Sequence, residues 1–436
     1  MGSLDEYLGA GGSEGLTKAL ALQPRAIIEE IKRSGLRGRG GGGFPTGAKW
    51  QTVADSDPGA TKYAVCNAAE GEPGTFKDRW LMRRNPYQVV EGLAIAAFAV
   101  GAERAYIALK RAFEPEREAI RRAIEEMTAA GLLGAFQIDV HEGPDEYLFG
   151  EEKGLMEVLE GNLPMPRILP PYQEGLFATA GSPNPTLVNN VETLANVPFI
   201  LHAGADAFRS SGTEGSPGTM LFTVSGDVRA PGVYELPLGT PIRTLVSEIG
   251  GGPPEGRSVK AIFPGASAGV LTAAHLDLAM DFDELKAAGS GLGSGGFIVY
   301  DDSACIVRAL GDFSRFLWVE SCAQCPACKA GSGDITKALE RIERGEGTDL
   351  DLNTALERTN TVTGGQRCAL PTGEAVLVAS CITAFDEEFR EHLERACPRP
   401  RPLPFAKFLD YDEVAGRFVY DERYRDKGPD WMYGHA

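Results

Sequence analysis

The segment Cys322-Ala-Gln-Cys325-Pro-Ala-Cys328 decides how the last part of the chain folds. Thiols at this short spacing lie close together, and three of them cannot all pair as disulfides. Thiolates are the usual ligands of iron–sulfur clusters, which are commonly held by four of them. The spacing therefore predicts a [4Fe–4S] centre, with a structural zinc site as the alternative. Zinc sites more often add histidine or a second cysteine pair, and no histidine lies near this segment in the sequence.

A fourth ligand is expected downstream of this motif. Cys381 falls within a continuous helical pattern of apolar residues, and Cys397 follows the last expected helix. Cys368 lies instead in an irregular Gly-rich segment that can bend back toward a metal. The predicted ligand set is therefore Cys322, Cys325, Cys328 and Cys368.

The motif sits between segments with helical periodicity, so this part of the chain is predicted to be a helical domain. The expected helices are Ile306 to Trp318, Asp334 to Arg344 and Ala375 to Leu393. The tail from Pro398 holds aromatic and charged residues but no clear helix. Whether it packs on this chain or on a partner stays open from the sequence.

The N-terminal part begins with helices over residues 3–35, in which Pro24 suits a first turn and Gly35 ends the pattern. Next comes Arg37-Gly-Arg-Gly-Gly-Gly-Gly-Phe-Pro-Thr-Gly-Ala-Lys-Trp50. Its GxGxxG match is weak, because a helix precedes it where the dinucleotide fingerprint requires a strand. Bare amides, cations and a helix expected to be capped by Thr46 suit a phosphate. The alternative is a flexible linker.

Strands then alternate with helices, which predicts an α/β layer. A buried strand over residues 62–69 contains Cys66, most simply a core thiol, and ends in the polar turn Glu70 to Asp78. Ligands collect at such strand ends in α/β folds. The expected elements that follow are the helix Pro86 to Val100, the strand Ala105 to Leu109, the helix Pro115 to Ala130 and a strand near residues 136–141.

Polar side chains of two later segments are candidate ligand contacts. Glu151 and Glu152 stand at an expected helix start, where carboxylates bind sugar hydroxyls or simply favour the helix dipole. After a Pro-rich loop over residues 164–185, Asn189 and Asn190 read a heterocycle or make turns. Residues 217–300 place several strands around one helix, Ile242 to Ile249, which fits a small β-grasp-like domain.

Composition excludes several classes of protein. The 436 residues carry a formal charge of −18, which is unfavourable for binding nucleic acid. Eight cysteines without a recognisable signal peptide argue against a disulfide framework and for a reducing compartment. No apolar run reaches the about 18 residues of a membrane helix. We expect a cytoplasmic protein, free or at the cytoplasmic face of a membrane-attached complex.

Together the motifs resemble the NADH-binding flavoprotein subunit of respiratory complex I, from about Leu4 to Leu393. The same subunit type occurs in NAD-linked hydrogenases, formate dehydrogenases and electron-bifurcating enzymes. The specific motifs are RSGLRGRGGGGFPTGAKW, EPGTFKDR, GEE, NNVETLANVP, PGVYELP and ESCAQCPAC. The resemblance implies a Rossmann-like FMN- and NADH-binding domain over residues 1–216, a β-grasp domain over 217–300, a helical iron–sulfur domain over 301–397 and a tail over 398–436.

The resemblance also implies site residues. The FMN contacts would be Gly38, Arg39, Gly40, Gly41, Lys49, Asn67, Glu70, Gly71, Tyr147, Gly150, Glu151, Asn189 and Asn190. The contacts to NADH would be Phe44, Glu72, Glu152 and Tyr172. Hydride exchange between NAD(H) and FMN would precede one-electron transfer through the cluster, with no catalytic acid or base from the protein. The implied partners are iron–sulfur subunits, including a thioredoxin-like [2Fe–2S] subunit.

The sequence departs from the family pattern at the nucleotide site. Ala69 and Gly71 replace a usual carboxylate and hydroxyl, and Leu169 replaces a usual lysine. These changes favour a specialised oxidoreductase over a standard complex I. One alternative keeps FMN and the cluster but has lost or changed nucleotide binding, as an electron relay and docking subunit. A second is a structural zinc protein with a glycine-rich binding loop.

Overall fold

The computed structural model describes residues 2–399 and 401–434, which form two compact units. The first unit comprises the chain up to Gly71, then Phe76–Leu221 and Glu235–Gly239. The second comprises Glu72–Thr75, Phe222–Tyr234 and the chain from Thr240 onward. The division into four segments with boundaries at 216, 300 and 397 stays a prediction.

The first unit opens with three helices, as the periodicity of residues 3–35 predicts. They are α1 (Leu4–Gly9), α2 (Glu14–Leu20) and α3 (Pro24–Ser34). Pro24 occupies the first turn of α3, and Gly35 ends it in the left-handed conformation (φ 68°). Glycine adopts this conformation without the steric cost that a side chain adds.

A parallel sheet forms the centre of the first unit. Its strands are β1 (Tyr63–Ala68), β2 (Arg104–Lys110), β3 (Gln137–Gly143) and β4 (Thr186–Asn190). Their order is β3-β2-β1-β4, and each neighbouring pair is parallel. This Rossmann-like layer confirms the predicted α/β class.

Helices surround this sheet. They are α4 (Thr46–Ala54), α5 (Lys77–Arg84), α6 (Pro86–Val100), α7 (Glu114–Ala129), α8 (Glu152–Leu159), α9 (Val191–Ala195), α10 (Val197–Ala203) and α11 (Ala205–Arg209), with a 3₁₀ helix at Tyr147–Gly150. The segments predicted as α6 and α7 are helical, while α5 was not predicted. Because α6 is apolar almost all round, it lies buried in the core, as a helix without a polar face must.

A second sheet follows in the chain. Its strands are β5 (Thr219–Gly226), β6 (Gly232–Pro237), β7 (Val259–Phe263), β8 (Leu271–Thr272) and β9 (Gly296–Asp301), in the order β6-β5-β9-β7-β8. The expected helix at 242–249 forms with a π-helical stretch, Thr244–Ile249, and α12 (Phe282–Ala287) precedes β9. Strands β5 and β9 are parallel, whereas β7 is antiparallel to β8 and β9. This mixed sheet with one accompanying helix confirms the β-grasp-like prediction.

The remaining chain is mostly helical. Its helices are α13 (Ile306–Glu320), α14 (Pro326–Glu343), α15 (Asp349–Thr359), α16 (Leu370–Ala384) and α17 (Asp386–Glu394). The prediction placed the start of α14 eight residues too late, missed α15, and merged α16 with α17, which are separated at Phe385.

The tail from residue 398 packs on its own chain. It forms an antiparallel hairpin, β10 (Phe408–Asp412) and β11 (Arg417–Tyr420), and a 3₁₀ helix at Glu422–Asp426. Lys427 Nζ and Tyr424 Oη lie 2.9 and 3.0 Å from Glu320 Oε1 at the end of α13. Within the residues described, no helix is both long and apolar enough to cross a membrane.

Candidate functional site

The parallel sheet of the first unit reverses its strand order between β1 and β4. The chain continues from β1 to β2 and β3 on one side, and β4 then pairs with the other side of β1. In open α/β sheets, ligands bind outside the carboxyl ends of the strands at such a switch point. Here the register pairs Asn67 with Asn190 and Cys66 with Asn189, so polar amides gather where the two strands end.

A cavity of about 580 Å³ lies at this switch point, within the size range of cofactor sites. Its lining residues are Gly38, Gly40, Gly42, Gly43, Phe44, Thr46, Lys49, Thr52, Asn67, Gly150, Glu152, Tyr172, Val188, Asn189, Asn190 and Thr193. Phe44 and Tyr172 are 59% and 38% exposed despite their size. Exposed aromatic rings on a cavity wall provide stacking surfaces for a planar ligand.

The glycine-rich segment is an ordered loop. The amide of Gly38 donates to the carbonyl of Phe44 (2.8 Å) and the amide of Thr46 donates to Leu36 (2.9 Å), so the two ends are tied together. Gly41 and Gly43 have φ values of 112° and 59°, which favour glycine. These bonds exclude the flexible-linker alternative.

Helix α4 starts at the cavity. Pro45 is its cap and Thr46 its first residue, so the expected capping by Thr46 is wrong by one position. The buried Thr46 hydroxyl has no hydrogen-bond partner among the described residues. An unpartnered hydroxyl and the amides of a helix start, side by side in a cavity wall, suit an anionic ligand group.

Lys49 and Glu152 form an ion pair in the cavity wall, with 2.6 Å between Nζ and Oε2. The neighbouring Glu151 caps α8, and its carboxylate accepts from the amides of Lys153 and Gly154 (2.9 Å each). Burial raises the pKa of Glu151 to about 7. Glu151 therefore has the capping role that was weighed as its alternative.

The amide side chains at the strand ends are held by hydrogen bonds. Trp50 Nε1 donates to Asn189 Oδ1 (2.8 Å), and Asn67 Nδ2 donates to the carbonyl of Gly150 (2.7 Å). Asn190 Oδ1 caps α9 by accepting from the amide of Glu192 (3.0 Å). The resulting fixed orientations are what a preorganised ligand site requires.

A buried ionic network fixes Asn190 further. Asn190 Nδ2 donates to Asp78 Oδ2 (2.6 Å), and Lys77 Nζ lies 2.7 Å from Asp78 Oδ1 and 2.8 Å from Glu192 Oε2. Burial opposes the charge on Lys77, but Asp78, Glu192 and Glu70 outweigh it and raise its pKa. Neither Lys77 nor Asp78 was predicted, although both stand in the EPGTFKDR motif.

Several predicted contacts do not line the cavity that the described residues form. They are Arg39, Gly41, Glu70, Gly71, Glu72, Tyr147 and Glu151. Arg39 is buried and donates through Nη2 to the carbonyls of Pro217 and Thr219. Glu70 accepts from the amides of Asp78 (2.9 Å) and Arg79 (3.3 Å).

Glu72 belongs to the second unit, where its carboxylate accepts from the amide of Ala266 (2.7 Å) and from Ser267 Oγ (3.2 Å). Three lining residues, Thr52, Val188 and Thr193, were not predicted. Thr193 lies in the NNVETLANVP motif, so the motif contained a usable signal. Thr52 and Val188 carry no signal in the sequence beyond their helix and strand.

The four predicted cluster cysteines are all unpaired and belong to the second unit. Cys325 caps α14 and Cys328 lies in its first turn, while the bend after Cys322 places Ala323 in the left-handed region (φ 63°). Burial raises the pKa of Cys328 to about 12, and Glu374, Cys368, Cys325 and Cys322 add to this effect.

The mutual influence of the four thiols shows that Cys368, although 40 residues away from Cys328 in sequence, shares their neighbourhood. A donor set of sulfur alone, with two members at a helix start that favours negative charge, fits an anionic iron–sulfur cluster. The cavity, with its unpartnered hydroxyl, lysine and helix start, likewise fits a phosphorylated flavin.

A parallel α/β unit with a cofactor-sized cavity at its switch point, together with four clustered thiols in a helical segment, defines an iron–sulfur flavoprotein. Three family models match the chain in sequence. They are the Nuo51 FMN-binding domain over residues 31–199, the SLBB domain over 221–267 and the NADH-ubiquinone oxidoreductase-F iron-sulfur binding region over 308–392.

Similar proteins agree with these matches. The second F-type chain of NADH-quinone oxidoreductase from Rhizobium meliloti (strain 1021) is 44% identical over 91% of this chain and 96% of its own length. The HndC chain of the NADP-reducing hydrogenase from Solidesulfovibrio fructosivorans is 36% identical over 91% and 82%. A crystal structure of NAD⁺-reducing [NiFe]-hydrogenase in the H₂-reduced state aligns with a TM-score of 0.79 and 32% identity, over 92% of this chain and 68% of that one.

The chain belongs to the F-type family of NADH-quinone oxidoreductase flavoproteins. It is an NADH dehydrogenase-type flavoprotein subunit whose cofactors are FMN, a [4Fe–4S] cluster and NAD(H). It transfers electrons between NAD(H) and partner electron-transfer subunits. The structural zinc alternative for the cysteine motif is therefore wrong.

Proposed function

We propose that the switch-point cavity of the first unit is the FMN site, with the phosphate on the Gly38–Gly43 loop, the start of α4 and Lys49. The unpartnered Thr46 hydroxyl carries this proposal, because a buried hydroxyl without a bond is costly unless a ligand satisfies it. Asn67, Gly150, Asn189 and Asn190 would contact the ring system, held in place by the bonds to Trp50 and Asp78.

The nicotinamide nucleotide would stack on Phe44 and Tyr172, whose exposed rings line the same cavity. Glu152 would bind the ribose hydroxyls while Lys49 neutralises its charge. We leave Glu72 out of these contacts, because its carboxylate already holds the backbone at Ala266. Arg39, Gly41, Glu70, Gly71, Tyr147 and Glu151 would act by shaping the loop and the helix starts around the cavity.

When bound, FMN accepts a hydride and the cluster carries single electrons, so the cofactors supply the chemistry. The protein's part is to hold both planar rings in contact and to keep them oriented. Asn190 has the most strongly fixed position for this role, since Asp78, Lys77 and Glu192 brace it in the interior. Cys322, Cys325, Cys328 and Cys368 would be the cluster ligands.

We further propose that the adjoining subunit is a thioredoxin-like [2Fe–2S] protein and that the assembly is a specialised oxidoreductase. Similarity to hydrogenase subunits supports the second point, as do Ala69 and Leu169 at positions where the family usually carries charge. The proposed location is the cytoplasm, at the face of a membrane-attached complex or free of it. The unpaired cysteines favour such a reducing compartment. Isolation of the native complex and identification of its subunits test the assembly.

The flavin site is tested by Lys49→Ala in the protein with its cofactors. Loss of a charge-assisted contact to a phosphate is worth about 1.5–3 kcal/mol, so FMN should bind roughly 10- to 100-fold more weakly. Flavin fluorescence on dilution measures the affinity. Lys18→Ala, which removes an exposed lysine of the same unit, is the matched control and should retain FMN as the unaltered protein does.

Reduction of the bound flavin by NADH, followed at the flavin absorption band in a stopped-flow instrument, tests the nucleotide site. Bleaching by NADH that slows in Glu152→Gln supports the assignment. Tight FMN without bleaching by millimolar NADH or NADPH would instead favour a relay subunit that has lost nucleotide binding. Unchanged FMN affinity in Lys49→Ala would contradict the phosphate site whatever the nucleotide result.

A further inference from the structure

A second group of potential metal ligands lies apart from the four cluster cysteines. Cys305, His392 and Cys397 each place a ligand atom within 4.8 Å of the others, and Cys305 Sγ is 3.3 Å from His392 Nε2. Cys305 and His392 are fully buried, and Cys397 is half-buried. Neither electron transfer nor nucleotide binding, as described above, uses these three side chains.

Hydrogen bonding fixes the histidine in the form that binds a metal. His392 Nδ1 lies 2.7 Å from the carbonyl oxygen of Glu388, which can only accept, so Nδ1 carries the proton. Nε2 therefore presents its lone pair toward Cys305. Metal-bound histidines typically have this arrangement, with the second ring nitrogen donating to a carbonyl or carboxylate.

Backbone amides support both sulfur atoms. The amide of Arg308 donates to Cys305 Sγ (3.5 Å), where Cys305 caps α13. The amide of Arg399 donates to Cys397 Sγ (3.4 Å). Amide donors stabilise the thiolate form that a metal requires.

The surrounding charges are already balanced. Glu388 Oε2 pairs with Lys260 Nζ (2.7 Å) and its Oε1 accepts from the amide of Ile306 (3.0 Å). The guanidinium of Arg399 lies 3.1 Å from Glu391 Oε2. Two thiolates and a divalent cation would then form a neutral buried group, which avoids the cost of burying net charge.

We propose that Cys305, His392 and Cys397 bind one zinc ion through two thiolates and the Nε2 nitrogen, with a water in the fourth position. Mixed sulfur and imidazole donors in a compact group suit Zn²⁺, with bonds of about 2.3 Å to sulfur and about 2.0–2.1 Å to nitrogen. A Cys305–Cys397 disulfide would leave the orientation of the histidine unexplained. The ion would fasten the segment after α17 to the start of α13, the helix that leads into Cys322.

The direct test is the metal content of the purified protein with its cofactors. We expect about one zinc per chain in addition to about four iron atoms. Zinc-edge X-ray absorption should show two sulfur neighbours with nitrogen and oxygen. In Cys305→Ala/His392→Ala the zinc should fall about tenfold or more, while iron and FMN stay. Cys66→Ala, which removes a buried cysteine of the first unit, is the matched control and should keep its zinc.

Three results would overturn the proposal. One is absence of zinc together with no uptake of Zn²⁺ by metal-depleted protein. Another is zinc surrounded by four sulfur atoms, which would place it at the cluster cysteines. The third is a Cys305–Cys397 disulfide in peptides from protein kept under reducing conditions. If the double variant does not fold, the absorption spectrum of the unaltered protein still decides between these cases.

Discussion

At the scale of single residues, Glu374 on α16 shows how burial sets protonation. Its carboxyl group is fully buried and accepts hydrogen bonds from Ser314 Oγ (2.9 Å) and Ser332 Oγ. Burial raises its pKa to about 7, and the two serine hydroxyls only partly offset this effect. The carboxyl group is therefore protonated in acid and must carry a buried charge in alkaline solution.

This burial predicts that Glu374 makes stability depend on pH. The folded pKa of about 7 exceeds the ordinary value of about 4.3, so the folded state binds more protons between these values. The stabilisation is present below about pH 4.3 and is lost as pH rises through about 7, to the extent of about 3 kcal/mol. Glu374→Gln cannot ionise, so its melting temperature should exceed that of the unaltered protein increasingly from pH 5 to 8. Exposed Glu387→Gln is the control, and parallel curves for Glu374→Gln would refute the prediction.

At the scale of elements, α6 depends on a close approach to α9. A Cβ atom added at Gly92 would lie 2.0 Å from the carbonyl oxygen of Leu194, and a backbone atom cannot move aside cheaply. Gly92→Ala should therefore destabilise the first unit by about 1–3 kcal/mol or more. Gly311→Ala is the matched mid-helix control, because its Cβ would meet only Leu339 Cβ at 4.0 Å, and helix propensity should make it neutral or stabilising by up to about 1 kcal/mol. Hydrogen exchange of α6 and α13 peptides measures both, and equal effects would contradict the argument.

Elements were predictable from sequence where apolar periodicity and end signals coincide. Helix α6 has Pro86 in its first turn and Gly101 just beyond its end, and its predicted bounds are correct. Helix α5 was missed because it is largely charged, and its buried residues Lys77 and Asp78 are stabilised by an ion pair instead of apolar contact. The start of α14 was missed because small residues follow Cys328, and packing compensates for their low helix propensity.

Site residues follow the same rule. The glycine loop and CxxCxxC are local patterns, and the cavity contains much of what they predict. Asp78 and Asn190, or Cys305 and His392, meet only through the fold across long stretches of chain. No spacing in the sequence indicates such pairs.

At the scale of the whole molecule, the proposed flavin cavity and the cluster cysteines belong to different compact units. Loss of one cofactor should therefore leave the other bound. Cys368→Ser removes the one thiol outside the short motif, and we expect the [4Fe–4S] cluster to be lost or incomplete while FMN is retained. NADH should still bleach the flavin in this variant, but the electron paramagnetic resonance signal of a reduced [4Fe–4S] cluster should be absent.

Iron content, flavin absorption and the resonance spectrum after NADH addition measure these effects in the purified protein. Cys381→Ala is the matched control, because Cys381 is a buried thiol of the same unit within α16 and should leave the signal unchanged. Retention of the cluster signal in Cys368→Ser would exclude Cys368 as the fourth ligand. Loss of FMN together with the cluster would show that the two units do not bind their cofactors independently.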